Sequence, residues 1–182
     1  SCSSYFPTAD RWLLSKGWRL TTARDIIADQ HKDDSALAFV RPDSPLKQFP
    51  GAVVRRDSIT WETLGLGYHH DDRDLPVIIA PAVAGVITEV RCFAVMGTVV
   101  ASSRYVADGR RGDGDAPRAA VAFAQDMARL LGKLDIAYAI DVCLVGGRWR
   151  LVEVNPFSGA DTYCCDLVPL VRAVSLAVQH RA

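Results

Sequence analysis

Two strand-like segments joined by a glycine pair constrain this chain most. They read A-Y-A-I-D-V-C-L-V over residues 137–145, Gly146-Gly147, then W-R-L-V-E-V-N over 149–155. Apolar, β-branched runs on either side of Gly-Gly predict an antiparallel hairpin. Asp141, Glu153 and Asn155 stand where a purely structural hairpin would carry more Val or Thr. Three oxygen-bearing side chains on a rigid hairpin suit a hard divalent cation such as Mg²⁺, which takes oxygen ligands and shares them with substrate phosphates. The hairpin therefore points to a nucleotide-metal site.

Which face those groups occupy depends on the turn. A two-residue Gly-Gly loop pairs Val145 with Arg148 and sets Asp141 opposite Val152, on the face away from Glu153. A three-residue loop of Val145, Gly146 and Gly147 shifts the register by one and flips that relation. Asp141 then shares a face with Leu151, Glu153 and Asn155, while Ile140, Val142, Val152 and Val154 form the apolar face. The second register separates polar from apolar better and is the one expected.

At 182 residues the chain is long enough for one domain with a real core. Its 21 basic and 21 acidic residues cancel, so no global field draws it to nucleic acid or an anionic membrane. No apolar run is long enough to span a bilayer and no leader-like pattern opens the sequence. Five cysteines without CxxC or zinc spacing read as reduced thiols of a cytoplasmic protein, with Cys92 and Cys143 as small core residues.

Along the chain we expect short helices over residues 9–16 and 22–29, the second capped by Thr22, and strands over 36–40 and 51–55. A short helix over 58–66 and a polar connector over 67–74 follow. Strands are expected over 76–80, 86–95 and 98–106, and a flexible loop over 108–117. Apolar spacing at Val121, Ala124, Ala128 and Leu131 predicts a helix over 118–131 stopped by Gly132. After the hairpin, residues 161–180 close the chain as a helix. This order predicts an α+β fold on antiparallel sheet.

Glu89 and Arg91 lie two apart on one strand and so share a face, with Arg104 on the antiparallel partner. Beside a metal hairpin they suit an arginine that grips an anion and a glutamate that orients it; the plain alternative is a surface ion pair. In F-V-R-P-D-S-P-L-K-Q-F-P-G over 39–51, Arg41 and Lys47 flank a proline-stiffened loop where a lysine can hold phosphate as a point charge. Ile78, Ile79 and Ala80 offer backbone groups in an apolar setting, a fit for an adenine edge. His69-His70-Asp71-Asp72 is too contiguous to converge on a metal. There is no Walker loop, nucleophile elbow or dinucleotide fingerprint.

In this order, the Lys47 loop, the apolar strand 76–81, the E-x-R strand at Glu89 and Arg91, Asp141, and E-V-N-P at 153–156 resemble the ATP-grasp superfamily. The likeness covers about residues 36–175. It is strongest to bacterial and phage members of largely unassigned substrate. The resemblance implies antiparallel sheets with packed helices and a nucleotide cleft between two subdomains, 36–80 and 81–182, preceded by a short segment 1–35. It implies ATP and Mg²⁺ as cofactors, with Asp141, Glu153 and Asn155 on the metal. Arg41, Lys47, Glu89, Ile78, Ile79 and Ala80 then hold the nucleotide, and Arg91 and Arg104 meet transferring phosphate or substrate carboxylate. The activity implied is a carboxylate–amine ligase working through an acylphosphate on small-molecule or peptide substrates. A catalytically degenerate module that binds nucleotide or peptide, and a metal-dependent hydrolase, are the alternatives.

Overall fold

In a computed structural model of the chain the described residues are 1–29, 35–44, 46, 48–66, 73–132 and 134–180. Lys47 and the His69-His70-Asp71-Asp72 run lie outside them. The chain divides into two compact units, Ser1–Phe6 with Ser15–Val83, and Pro7–Leu14 with Ala84–Ala182. The division falls after Val83. Residues 15–29, expected as part of a short leading segment, are built into the first unit.

The first unit carries a four-stranded sheet in the order β1 (Arg19–Thr22), β4 (Pro76–Pro81), β2 (Leu37–Pro42), β3 (Ala52–Arg55). All its pairings are antiparallel. Thr22 ends β1 and caps helix α2 (Ala23–Ala28), its hydroxyl accepting from the Asp25 N–H at 3.1 Å. Ala23 and Ile26 pack with Val40, Val77 and Ile79 as the core. No helix forms over 58–66. A 3₁₀ turn covers Arg56–Ser58, and Thr60 and Thr63 then bond each other's backbone N–H groups. Such hydroxyl–backbone bonds compete with helical ones.

The second unit carries a five-stranded antiparallel sheet in the order β7 (Arg110–Gly114), β6 (Thr98–Ala107), β5 (Val86–Val95), β8 (Ala137–Val145), β9 (Arg148–Pro156). Each of its three hairpins closes through two residues at positive φ, Met96-Gly97, Asp108-Gly109 and Gly146-Gly147. That is the turn whose twist matches the flanking strands. The segment expected as a loop over 108–117 is therefore a turn and β7. Helix α3 (Arg118–Leu131) buries Ala120, Ala124, Met127 and Ala128 and ends at Gly132, φ 66°. The side-chain amide of Gln125 accepts from the Val99 N–H and donates to the Gly97 carbonyl, both at 2.9 Å, tying α3 to the first hairpin.

Helix α4 (Leu167–Gln179) begins later than expected, capped by Asp166. It sets Leu170 and Ala177 against Phe93, Val95 and Ala139. The N-terminal helix does not lie over 9–16 as expected: α1 (Phe6–Ala9) ends where that helix was to begin and runs into a 3₁₀ turn, Asp10–Trp12, and Leu13 then bridges to Leu151 of β9.

The register of β8 on β9 differs from expectation at the turn and agrees with it at the acids. Val145 pairs with Arg148 and Val142 with Leu151, the two-residue-loop register, but Asp141 pairs with Glu153. A β-bulge leaves Val152 as the extra residue and supplies the one-residue shift expected of the loop. Leu151 consequently falls on the face of Val142, not of Asp141.

Candidate functional site

Asp141 on β8 and Asn155 on β9 are buried, with exposures of 0% and 2%, and Glu153 is half-buried. Asn155 Nδ2 donates to Asp141 Oδ2 at 3.1 Å and to Glu153 Oε1 at 2.8 Å, so one amide holds the two carboxylates together. Arg91 on β5 lies directly opposite Asp141. Its Nε donates to Oδ1 at 2.8 Å and its Nη2 to Oδ2 at 2.7 Å, a bidentate fork. Its Nη1 donates to the Asp161 carbonyl at 3.0 Å.

Two tyrosines complete the surroundings. The rings of Tyr105 and Tyr163 stack with centroids 4.8 Å apart, and the Arg91 guanidinium lies 5.0 Å from the Tyr163 ring and 5.9 Å from Tyr105. Tyr105 is the extra residue of a second bulge, because Val90 pairs with Arg104 and Glu89 with Val106. Burial, then the charges of Asp141 and Glu89, raise the Tyr105 pKa, and its hydroxyl shares a hydrogen bond with Glu89.

Negative charge is in excess here. Burial raises the Asp141 pKa, to about 6; the Arg91 bonds pull it down and the neighbouring Glu153 charge pushes it up again. Burial alone would lower the Arg91 pKa, but its bonds to Asp141 more than offset that and hold it above its ordinary value. The donor set is two carboxylates and one amide oxygen. Among the described residues no three carboxylates, imidazoles or thiols gather. That set fits Mg²⁺, which is held by one or two carboxylates and completed by phosphate and water, and whose charge would relieve the Asp141–Glu153 repulsion.

The other expected residues are placed as follows. Arg91 turns inward onto Asp141, leaving a residue only 6% exposed. Arg104 pairs with Val90 and so falls on the opposite face from Arg91. Its guanidinium lies over Gly114, where a Cβ would come within 2.7 Å of Nη2, and its buried Nε has no partner among the described residues. In the first unit, buried Arg41 pairs with Ile78 and shares its face, as does Ala80 two residues on. Ile79 points the other way, into the core. Neither edge of β4 is open at Ile78 and Ile79, because β1 and β2 flank both residues; only Ala80 and Pro81 run past the end of β1. A pocket of about 250 Å³ opens there, its lining including Arg19, Arg56, Leu37 and Pro81. Asp161, Tyr105 and Tyr163 were missed. Asp161 closes the E-V-N-P-F-S-G-A-D run, the one local signal that could have marked it.

A family model described as an ATP-grasp domain, clade family 2, matches residues 14–173. No curated relative matches the sequence. Among solved structures the chain is similar to D-alanine–D-alanine ligase from Bacillus anthracis, at 15% identity and TM-score 0.59, over 90% of this chain and 62% of that one. It is similar to the D-cycloserine synthetase DcsG at 16% identity and TM-score 0.57, over 97% and 69%. It is also similar to the ATP-grasp ligase PsnB complexed with a minimal precursor, at 14% and 0.55, over 97% and 61%. At such identities these structures show a shared fold, and the chain spans about three fifths of the PsnB and D-alanine–D-alanine ligase chains. With the family matched over most of its length, the chain belongs to the ATP-grasp superfamily, as a domain of that clade family.

Proposed function

We propose that the protein is an ATP- and Mg²⁺-dependent ligase that joins a carboxylate to an amine through an acylphosphate. The observation that carries this reading is the cluster of Asp141, Glu153 and Asn155, two carboxylates drawn together by one amide. These three residues would hold Mg²⁺, which would supply positive charge against the phosphates of ATP. In the first unit, Arg41 and Lys47 lend positive charge to the phosphates, and the end of β4 at Ala80 and Pro81, which runs past β1 beside the pocket, offers adenine backbone groups in an apolar setting. The substrate carboxylate attacks the γ-phosphorus, ADP leaves, and an amine then displaces phosphate from the acyl carbon with loss of a proton. The protein contributes orientation and charge. Small-molecule and peptide carboxylates are both in scope, since the similar structures include a D-alanine ligase and a ligase bound to a precursor.

The test is ADP release across panels of amino acids and short peptides, with Mg²⁺ and with EDTA. Release that needs both an acceptor and Mg²⁺ is the expected result; release without any acceptor contradicts the ligase reading. The hold of Arg91 on both oxygens of Asp141 supports a second reading, a module that binds nucleotide without turnover. Thermal stabilisation by Mg-ATP with no ADP release on any acceptor would select it.

A further inference from the structure

We propose that Arg91 is a positioning residue that couples the placement of the Asp141 carboxylate to the fold of residues 161–165. The carboxylate half of this proposal rests on the nucleotide–Mg²⁺ reading above; the half concerning residues 161–165 does not.

The guanidinium spends one edge on Asp141, through Nε and Nη2, and its remaining nitrogen on the Asp161 carbonyl. Its Cζ lies over the Tyr163 ring, 5.0 Å from the centroid. Tyr163 sits at φ 46°, and among the described residues it is the one non-glycine at positive φ outside the hairpin turns. A tyrosine keeps that conformation only where its surroundings over-determine it. Here the Asp161 carboxylate accepts from the Tyr163 N–H at 3.0 Å, Tyr105 stacks on the ring, and Arg91 covers it. The next residue is tied as well, because the Cys164 N–H donates to Ser103 Oγ at 3.2 Å. Ser103 is the cross-strand partner of Arg91. Cross-strand partners on β5 and β6 therefore grip the segment at residues 161 and 164, and of the two only Arg91 also bonds the Asp141 carboxylate. A planar fork meets both oxygens of the acid and a carbonyl through donors in fixed geometry; an ammonium has three donors on one atom and cannot reproduce that bidentate hold.

Cysteines make this testable. Cys164 is exposed and Cys165 is buried at the end of the segment, while Cys92 and Cys143 are buried in strands and report opening of the sheet. Iodoacetamide labelling of each thiol is followed by mass spectrometry in the wild type, Arg91→Lys and Arg91→Gln. Binding of Mn²⁺ in the presence of ADP is measured on the same proteins. In both variants Cys165 should label at least tenfold faster, with Cys92 and Cys143 still protected, and Mn²⁺ affinity should fall about tenfold. Wild-type protection of Cys165 in Arg91→Lys, or exposure of Cys165 only together with Cys92 and Cys143, would overturn the proposal. If the wild type binds no Mn²⁺, the metal reading fails and the Cys165 measurement decides the coupling alone. If both Arg91 variants fail to fold, Tyr163→Ala, which leaves the Arg91–Asp141 fork in place, must release Cys165, and unchanged protection overturns the proposal.

Discussion

Asp141 and Glu153 are paired across β8 and β9, yet they should answer differently to loss of charge. Asp141→Ala leaves the Arg91 guanidinium buried without its counter-ion, and breaking a buried pair in this way costs about 3–5 kcal/mol. Glu153→Gln keeps size and one acceptor oxygen at a half-buried position and should cost less than about 1 kcal/mol. Urea denaturation of the two variants checks the contrast, and equal losses would contradict it. The oxygen-bearing trio was legible in the sequence because acids are conspicuous inside β-branched strands. The partner of Arg91 was not. Pairing Arg91 with Asp141 requires knowing that β5 lies beside β8 and in which register, and no local periodicity carries that. The face of Arg104 was hidden for the same reason, since it depends on the bulge at Tyr105.

Elements with a strong local signal formed as expected: α3 with its Gly132 stop, the β5–β6 hairpin, and the Thr22 cap. β1 and β7 did not announce themselves. R-L-T-T is short and half-polar, and R-R-G-D-G has the composition of a loop; each is a strand because a neighbour offers it an edge. The β8–β9 hairpin shows the limit most clearly, since the wanted register is reached by a bulge at Val152 rather than by a longer turn. Gly147 stands at φ 72°, so Gly147→Val should destabilise by about 1–2 kcal/mol, as side chains do in the left-handed region. Asp166→Ala removes the oxygen that caps α4 and should cost about 1 kcal/mol. Thermal unfolding measures both, and an unchanged midpoint in either variant refutes the corresponding assignment.

For the whole molecule, the ordered motifs carried the family, while the assignment of residues 15–29 to the first unit was hidden because β1 has no apolar run of its own. None of the five cysteines is in a disulfide, and among the described residues no helix is long and apolar enough to cross a membrane. Burial pushes the Cys92 and Cys143 thiols up to about 12. Desolvation and then Asp113 raise the thiol of exposed Cys164. The thiolate is the nucleophile, so a raised pKa means slow reaction near pH 8 that accelerates as pH rises. Native protein should label at Cys164 before the other four, and Asp113→Asn should speed that reaction at pH 8; an unchanged rate would place Asp113 away from the thiol. The ligase reading depends above all on Glu153, with Asp141 and Asn155, holding Mg²⁺ against the phosphates of ATP. Calorimetric titration of ATP into the wild type and Glu153→Gln, with and without Mg²⁺, decides whether it does. Mg²⁺ should tighten ATP binding at least tenfold in the wild type and hardly at all in the variant, while Mg²⁺-free affinities stay similar. The same Mg²⁺ enhancement in both proteins would mean that Glu153 does not hold the metal.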